Sequence, residues 1–502
     1  GRLRVRLLDG QTVLAERVLE VASSEWRELA VVLQPTADAA NATLQVGVTG
    51  GRVWIDQISL MPDSWAAGGG FRPDLLRPIS DLRPPVLRWP GGSFASKYRW
   101  KSGIGPQHQR VSFPAPMWDD LEVNAFGTDE FLALCRKIKT EPIVVVNIGQ
   151  PDLSQREAYC REAAEWVEYC NGSTNRPWGR VRAAHGHPEP YRIKYWEIDN
   201  EVWKVPASAY VSIVRQFAAA MKQVDPDIVL IACGSGQLGG RWPEGDRAVI
   251  DEAAEDVDLL SVHHYENVNN YGAGPRADEA FWARIEARIG RSRNPDLKLF
   301  VSEWNLQSTD WRTGLYAGGI LNAFERHPIV GMATPALFLR HVSATKWDNA
   351  FINFDHRTWF PAPNYVVMKL YRDHYLHERV KVEGDCRGLD VLATRSPAKD
   401  RVVLKLVNPT EAPVRVQATF QDGFVPAEAT LQVVAPEALD ARNTIERPDV
   451  VRAVSGPIER DGATVRFSLP RWSVGVVNVT SASAPQPPLV EECPAHTARI
   501  GW

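Results

Sequence analysis

Ile193-Lys194-Tyr195-Trp196-Glu197-Ile198-Asp199-Asn200-Glu201 is a short, mostly apolar run that ends in three consecutive polar residues. Such a run, bounded by polar or turn residues, fits a strand covered on both faces, as in a parallel sheet. Six further runs of this texture lie between about residues 84 and 345, at 86–89, 142–147, 228–233, 257–262, 297–302 and 329–332. Amphipathic segments separate them. Phe131/Leu134/Cys135/Ile138 follows a Thr128 cap, Tyr210/Val214/Phe217/Met221 follows Ser208, and Phe281/Ile285/Ile289 follows Asp278, each at helical spacing. Alternating strands and helices predict an α/β domain whose parallel sheet is covered by helices.

The flanks read differently. Residues 1–62 alternate apolar and polar positions (Leu3/Val5/Leu7, Leu44/Val46/Val48, Val53/Ile55) between turns such as Asp9-Gly10 and Gly50-Gly51, which predicts part of a β-sandwich. The α/β region takes 63–375. Period two returns over 376–482 (Val402/Leu404/Leu406, Val414/Val416/Ala418/Phe420, Val465/Phe467/Leu469), predicting a second β-sandwich, and 483–502 is a Pro-rich linker and tail.

The 502 residues hold 57 Lys+Arg against 61 Asp+Glu, a net charge of −4, so no basic surplus points to nucleic acid. The apolar runs fall far short of a membrane span. Six cysteines (Cys135, Cys160, Cys170, Cys233, Cys386, Cys493) show neither zinc spacing nor a disulfide scaffold and read as thiols, most of them buried. The first residues alternate as a half-buried strand does and contain no signal-peptide core, so the chain is expected to begin inside a domain.

In parallel α/β domains chemistry gathers where strands end, and the polar residues there are Arg88, Asn147, Asp199-Asn200-Glu201, His263-His264-Tyr265 and Glu303-Trp304-Asn305. Two strand-end glutamates, Glu201 and Glu303, supply the carboxylate pair that glycosidic cleavage requires, although ion pairing or helix capping would place glutamates there equally well. Trp89, Trp196, Trp203, Trp304, Trp347 and Trp359 lie in or beside the same segments and could stack on sugar faces or simply fill the core. Gly234-Ser235-Gly236-Gln237-Leu238-Gly239 matches a dinucleotide fingerprint, but Gly240, Pro243 and Gly245 interrupt the helix it would need. His263-His264 lacks metal-ligand spacing and reads as a hydrogen-bonding pair at a pocket rim.

The motifs Leu87-Arg88-Trp89-Pro90-Gly91-Gly92-Ser93, Trp118-Asp119, Asn124 to Phe131, Gly186 to Pro190, Lys194-Tyr195-Trp196, Asp199-Asn200-Glu201 and Ser302-Glu303-Trp304-Asn305 resemble, in order, those of α-L-arabinofuranosidases of glycoside hydrolase family 51. The resemblance implies a (β/α)8 barrel of the TIM type with flanking β-sandwiches, and retaining hydrolysis with Glu201 as acid/base and Glu303 as nucleophile. It further implies that Arg88, which would keep Glu303 charged, and Ser93, Asn200, His263, Tyr265 and Trp304 line the sugar site. Neither a cofactor nor a metal is expected. The implied partner is a plant cell-wall polysaccharide or oligosaccharide, acted on by an exported enzyme, and residues 1–62 resemble the tail of a carbohydrate-binding module inserted after the first barrel strand. The family places its glutamates after the fourth and seventh strands, whereas here they follow the third and sixth runs. An N-terminal part of a longer polypeptide, or a second chain, is therefore expected to supply one strand. Ser93 stands where the family usually has Asn, and Asp199 where it usually has Gly. Alternative readings are an endo-β-1,4-glucanase or xylanase of the same family, a non-catalytic carbohydrate-binding protein and, most distantly, a nicotinamide-dependent dehydrogenase.

Overall fold

The computed structural model describes residues 1–115, 120–235, 243–386 and 388–481. The Trp118-Asp119 motif, positions 236–239 of the glycine fingerprint and the tail 483–502 with Cys493 lie outside the described residues. The chain divides into two compact units, Gly1–Phe71 with Gly105–Val111, and Arg72–Ile104 with Ser112–Trp502.

In the first unit β1 (Arg2–Asp9) and β2 (Thr12–Glu20) form a hairpin, and β3 (Thr43–Thr49) pairs antiparallel with the other edge of β1. Asp9 faces Thr12 across a two-residue turn, and Gly10, at φ +57°, supplies the positive φ that such turns favour at their first central position. Leu3, Val5, Leu14 and Ala15 are buried. The unit also holds α1 (Asp63–Ala67). The Val53/Ile55 alternation forms no strand, and Trp54 and Ile55 are exposed, since a strand persists only where a neighbour takes up its backbone hydrogen bonds.

In the second unit α2 (Pro73–Asp81) leads into β4 (Val86–Trp89), followed by the hairpin β5 (Phe113–Ala115) and β6 (Asp120–Glu122), then α3 (Thr128–Ile138). The alternation continues through β7 (Glu141–Val146), α4 (Arg156–Asn171), α5 (Pro177–Ala184), β8 (Tyr195–Ile198), α6 (Ala207–Val224), β9 (Val229–Cys233), α7 (Pro243–Glu252), β10 (Leu259–Glu266), α8 (Gly274–Ile289), β11 (Lys298–Leu306), α9 (Trp311–Arg326) and β12 (Val330–Ala333). Each of the seven apolar runs is a strand, and all seven join one parallel sheet in the order β12-β11-β10-β9-β8-β7-β4. Among the described residues β4 bonds only to β7 and β12 only to β11, so the barrel is curled but open between those two edges. On the inner face Val86, Ile143, Ile231, Leu259 and Phe300 form one apolar plug. Alternate residues, among them Val144, Trp196, Ile198, Leu230, Leu260, Val262 and Val301, join the helix-side core with Phe217 and Ile320.

Three helix starts differ from the expected caps. Thr128 is the first residue of α3, whose cap is Gly127; a Cβ there would lie 1.8 Å from the Gly103 carbonyl, and the Gly127 amide donates to Glu130. Helix α6 begins at Ala207, before Ser208, and α8 at Gly274, which leaves Asp278 buried inside the helix. Proline at or beside each of these two starts fixes φ for the first turn and outweighs the side-chain cap signal.

After β12 a small sheet forms from β13 (Leu339–His341), β14 (Ile352–Phe354) and β15 (Trp359–Pro361), and α10 (Pro363–Asp373) packs on α9. The remaining strands are β16 (Glu378–Val380), β17 (Asp390–Arg395), β18 (Arg401–Asn408), β19 (Val414–Thr419), β20 (Pro426–Val434), β21 (Val454–Gly456), β22 (Ile458–Asp461), β23 (Thr464–Leu469) and β24 (Ser473–Ser481). They build two antiparallel sheets, β16-β17-β18-β24-β20-β21 and β19-β23-β22, around an apolar cluster that includes Leu404, Leu431, Phe467 and Val477. Arg326 of α9 binds Asp390 at 2.8 Å, and the Trp311 indole donates to the Trp472 carbonyl, tying barrel to sheets.

Candidate active site

Period-two alternation turns Arg88 of β4, Glu197 of β8, and His263 and Tyr265 of β10 to the inside of the curl, above the apolar plug. Glu303 gets there by a different device. Val262 pairs with Val301, but the next pair is His263 with Glu303, so Ser302 is an extra residue on β11. This bulge reverses the alternation and aims Glu303 inward, where a regular strand would send it toward the helices.

Glu303, 3% exposed, accepts at Oε1 from Arg88 Nη1 (3.0 Å) and at Oε2 from the Tyr265 hydroxyl (2.6 Å). Burial pushes its carboxyl up, but the charges of His263 and Arg88 and the hydrogen bonds from Tyr265 and Arg88 outweigh that and hold it below the usual carboxylate range. Arg88 spends its other donors on Glu197 (Nε to Oε2, 2.5 Å) and Asn200 (Nη2 to Oδ1, 2.8 Å), and the two carboxylates outweigh its desolvation and raise its pKa. The guanidinium is thus a fixed three-way brace. The Tyr265 phenol is driven well above its ordinary value, by burial first and then by Glu303, and so stays a donor.

Glu201 lies two residues beyond the first polar position after β8, with its backbone in the left-handed region at φ +48°. Its Oε1 lies 2.9 Å from His263 Nδ1, which is also 3.5 Å from Glu303 Oε2. Burial disfavours the charged imidazole, but Glu303 and Glu201 outweigh it and raise the His263 pKa. One atom each of Glu201, His263 and Glu303 lie within 4.8 Å of one another, a spacing a metal ion could bridge. Both Glu303 oxygens, however, already accept hydrogen bonds, one of them from a buried guanidinium, so this donor set is committed to protein donors rather than to a cation.

Residues 78–280 match the family model for the α-L-arabinofuranosidase 1 domain, and residues 299–473 that for the α-L-arabinofuranosidase C-terminal domain. Over 375 residues the chain is 33% identical to α-L-arabinofuranosidase C of Emericella nidulans, covering 65% of this chain and 73% of that protein. The chain belongs to the α-L-arabinofuranosidases of glycoside hydrolase family 51. With a probable α-L-arabinofuranosidase C of Aspergillus niger it shares 33% identity over 296 residues, 54% of this chain and 56% of that one, so it spans little more than half of that relative. The arabinose complex of the Thermotoga maritima α-L-arabinofuranosidase superposes with a TM-score of 0.73 at 27% identity, over 82% of this chain and 90% of that one. The fold is accordingly the TIM barrel with a C-terminal β-sandwich domain, with seven barrel strands among the described residues.

Within this arabinofuranosidase frame the structure brings together Arg88, Asn200, Glu201, His263, Tyr265 and Glu303, and leaves out two residues read from sequence. Ser93 is exposed in the turn Gly92–Lys97 and makes no hydrogen bond to the cluster among the described residues; Ser96 of the same turn is the one that reaches inward. Trp304, beside Glu303 but on the opposite face of β11, is 1% exposed and packs edge-on against Phe324 and Phe351. His264 likewise faces outward, 2.9 Å from Asp278 and accepting from the Trp282 indole, so only His263 serves the rim. Trp196 is fully buried, Trp89 stacks on Phe131, and Trp359 packs against Tyr365. Among the described residues the tryptophans at the cluster are Trp203, edge-on to His263 with ring centres 6.4 Å apart, and Trp347, 38% exposed and 5.7 Å from the Tyr265 ring. In the glycine fingerprint, Gly234 donates to the Ser261 carbonyl and Ser235 to Asp246, contacts of a strand-end loop. The sequence reading missed Glu197, although its place two residues before Asp199 on β8 marks it as an inward carboxylate, and it missed Gln150.

Proposed function

We propose that this chain is a retaining glycoside hydrolase that releases α-L-arabinofuranosyl residues from arabinoxylan- or arabinan-type hemicellulose by double displacement. The observation that carries the reading is the approach of Glu201 and Glu303, with oxygens within 4.8 Å across the gap that His263 borders. Retaining enzymes keep their carboxyl groups roughly 5 Å apart, too close to seat a water between them. Glu303, kept ionised by Arg88 and Tyr265, attacks the anomeric carbon while Glu201 donates a proton to the departing glycosidic oxygen. Glu201 then takes a proton from water, which attacks the same carbon, breaks the bond to Glu303 and releases the sugar with its configuration retained. Asn200, braced by Arg88, and His263 lie where the ring hydroxyls would sit, and Trp203 and Trp347 offer apolar faces at the mouth.

Two further parts of the reading concern the rest of the molecule. A strand from an N-terminal segment or a second chain lies between the open edges of β4 and β12 and completes the barrel. Residues 1–62 contribute to a carbohydrate-binding module of an exported enzyme. No helix among the described residues is long and apolar enough to cross a membrane.

The test is hydrolysis of 4-nitrophenyl α-L-arabinofuranoside beside soluble cellulose and xylan. Release of nitrophenol and of arabinose from arabinoxylan is expected, with loss of both in Glu303→Ala and partial rescue by azide to give the inverted glycosyl azide. Internal cutting of cellulose or of the xylan backbone without arabinose release would make the enzyme an endo-glycanase, and binding without hydrolysis would make it a carbohydrate-binding protein.

A further inference from the structure

Asp199 is a buried acidic residue beside the cluster that the double displacement does not use and that, unlike Glu197, has no guanidinium partner among the described residues. It is 0% exposed, and no Lys, Arg or His lies within ion-pair distance of it among the described residues. A carboxylate buried without a cation is costly, so the surrounding donors must stabilise it. They come from three strand ends. Oδ1 accepts from Ser96 Oγ (2.5 Å), Gln150 Nε2 (2.9 Å) and the Asn200 amide (2.6 Å), and Oδ2 accepts from the Ile148 amide (2.9 Å). Gln150 Nε2 also lies 2.7 Å from the Asn200 carbonyl and 2.9 Å from Ser96 Oγ. Through Asp199 the loops after β4 and β7 grip the peptide that joins β8 to Glu201.

That peptide needs gripping. Asp199 and Glu201 both adopt left-handed backbone angles, φ +66° and +48°, a region disfavoured for residues other than glycine and, to a lesser extent, Asn and Asp. The Glu201 carboxylate bonds to His263 and its side chain is a quarter exposed, so its position depends on the main chain that carries it. Burial raises the Asp199 pKa against the pull of its four donors, which marks the carboxylate as held there by structure rather than by charge pairing.

We infer that Asp199, with Ser96 and Gln150, is a positioning residue that sets the reach of Glu201 toward the departing oxygen. The inference rests on Glu201 being the acid. Asp199→Gly accommodates φ +66° but lacks the tether, and Asp199→Asn keeps the shape but turns one acceptor into a donor facing N–H groups. The readout is kcat/KM across aryl and alkyl α-L-arabinofuranosides of graded leaving-group pKa, with unfolding temperature measured alongside. Poor leaving groups need the proton and dinitrophenyl groups hardly do, so both variants should lose about tenfold or more on the former and under about threefold on the latter. Ser96→Ala should show the same pattern more weakly. Glu201→Ala separates the two ideas. If that variant shows no added leaving-group dependence, the acid assignment fails; if it does but folded Asp199→Gly and Asp199→Asn follow the parent enzyme, or lose activity uniformly, the positioning role of Asp199 is overturned.

Discussion

Arg88 Nη1 donates to Glu303 Oε1 at 3.0 Å while Nε of the same guanidinium holds Glu197 Oε2 at 2.5 Å, so one buried cation is shared by two inward carboxylates of strands β11 and β8. An attraction this short in a dry site fixes the geometry and leaves Glu303 negative without spending a proton. The Tyr265 hydroxyl does the same from the other side.

Tyr265→Phe removes that second donor. Because Glu303 must be ionised to attack, and its carboxyl is held low partly by Tyr265, the acid limb of kcat/KM should move to higher pH. The loss at neutral pH should be about 10- to 100-fold, the worth of a hydrogen bond to a charged group. The stability sign follows from the same depression. A lowered carboxyl contributes stability above its unfolded pKa that disappears as pH falls through the folded value, so Tyr265→Phe should lose less stability than the parent over that acid range. Urea unfolding at graded pH checks this.

Deleting Ser302 should restore regular alternation on β11 with Glu303 directly after Val301, so that Glu303 stays inward opposite His263 and Trp304 stays outward. The expected result is a folded enzyme that keeps the His263–Glu303 pairing and retains measurable turnover. Ser302→Gly, which keeps the extra residue, should retain most activity. A folded deletion variant without turnover would show that alternation past Val301 is not what aims Glu303.

Trp304 and Trp347 should separate cleanly. Trp304→Ala empties a core site and should cost about 3–5 kcal/mol of stability without a specific change in KM for the folded fraction. Trp347→Ala should leave the unfolding temperature nearly unchanged and raise KM about three- to tenfold, the worth of an aromatic face on a sugar. Thermal unfolding and initial rates on one pair of preparations decide it.

The contrast between those tryptophans shows what sequence could and could not convey. Strands β4 and β7 to β12 were legible because their apolar runs end in polar residues, and that ending pointed to Arg88, Glu201 and Glu303. Which neighbour faces inward was not legible beside Glu303, because the Ser302 bulge is a pairing property of two strands rather than of either sequence. Ser93 and Ser96 are equivalent by composition, and only the turn at Gly92–Lys97 selects the latter. Glu197 was overlooked inside an apolar run, since its partner Arg88 is 109 residues away.

His263 borders both carboxylates, and the two acids raise its pKa, so its charged form contributes stability that is present below the ordinary imidazole value and is lost as pH rises through the folded one. His263→Gln should flatten that alkaline-side decline and lower kcat, as seen by pH-resolved thermal unfolding and rate profiles. An unchanged decline would place the titration elsewhere.

Mechanism-based trapping with a 2-deoxy-2-fluoro or epoxide analogue of α-L-arabinofuranose, followed by peptide mass spectrometry, addresses the nucleophile directly. A single sugar adduct on Glu303, formed as activity disappears and absent from Glu303→Ala, is the expected result. Inactivation with the adduct on any other side chain, or a Glu303→Ala variant that still turns over substrate at the parent rate, would contradict the account.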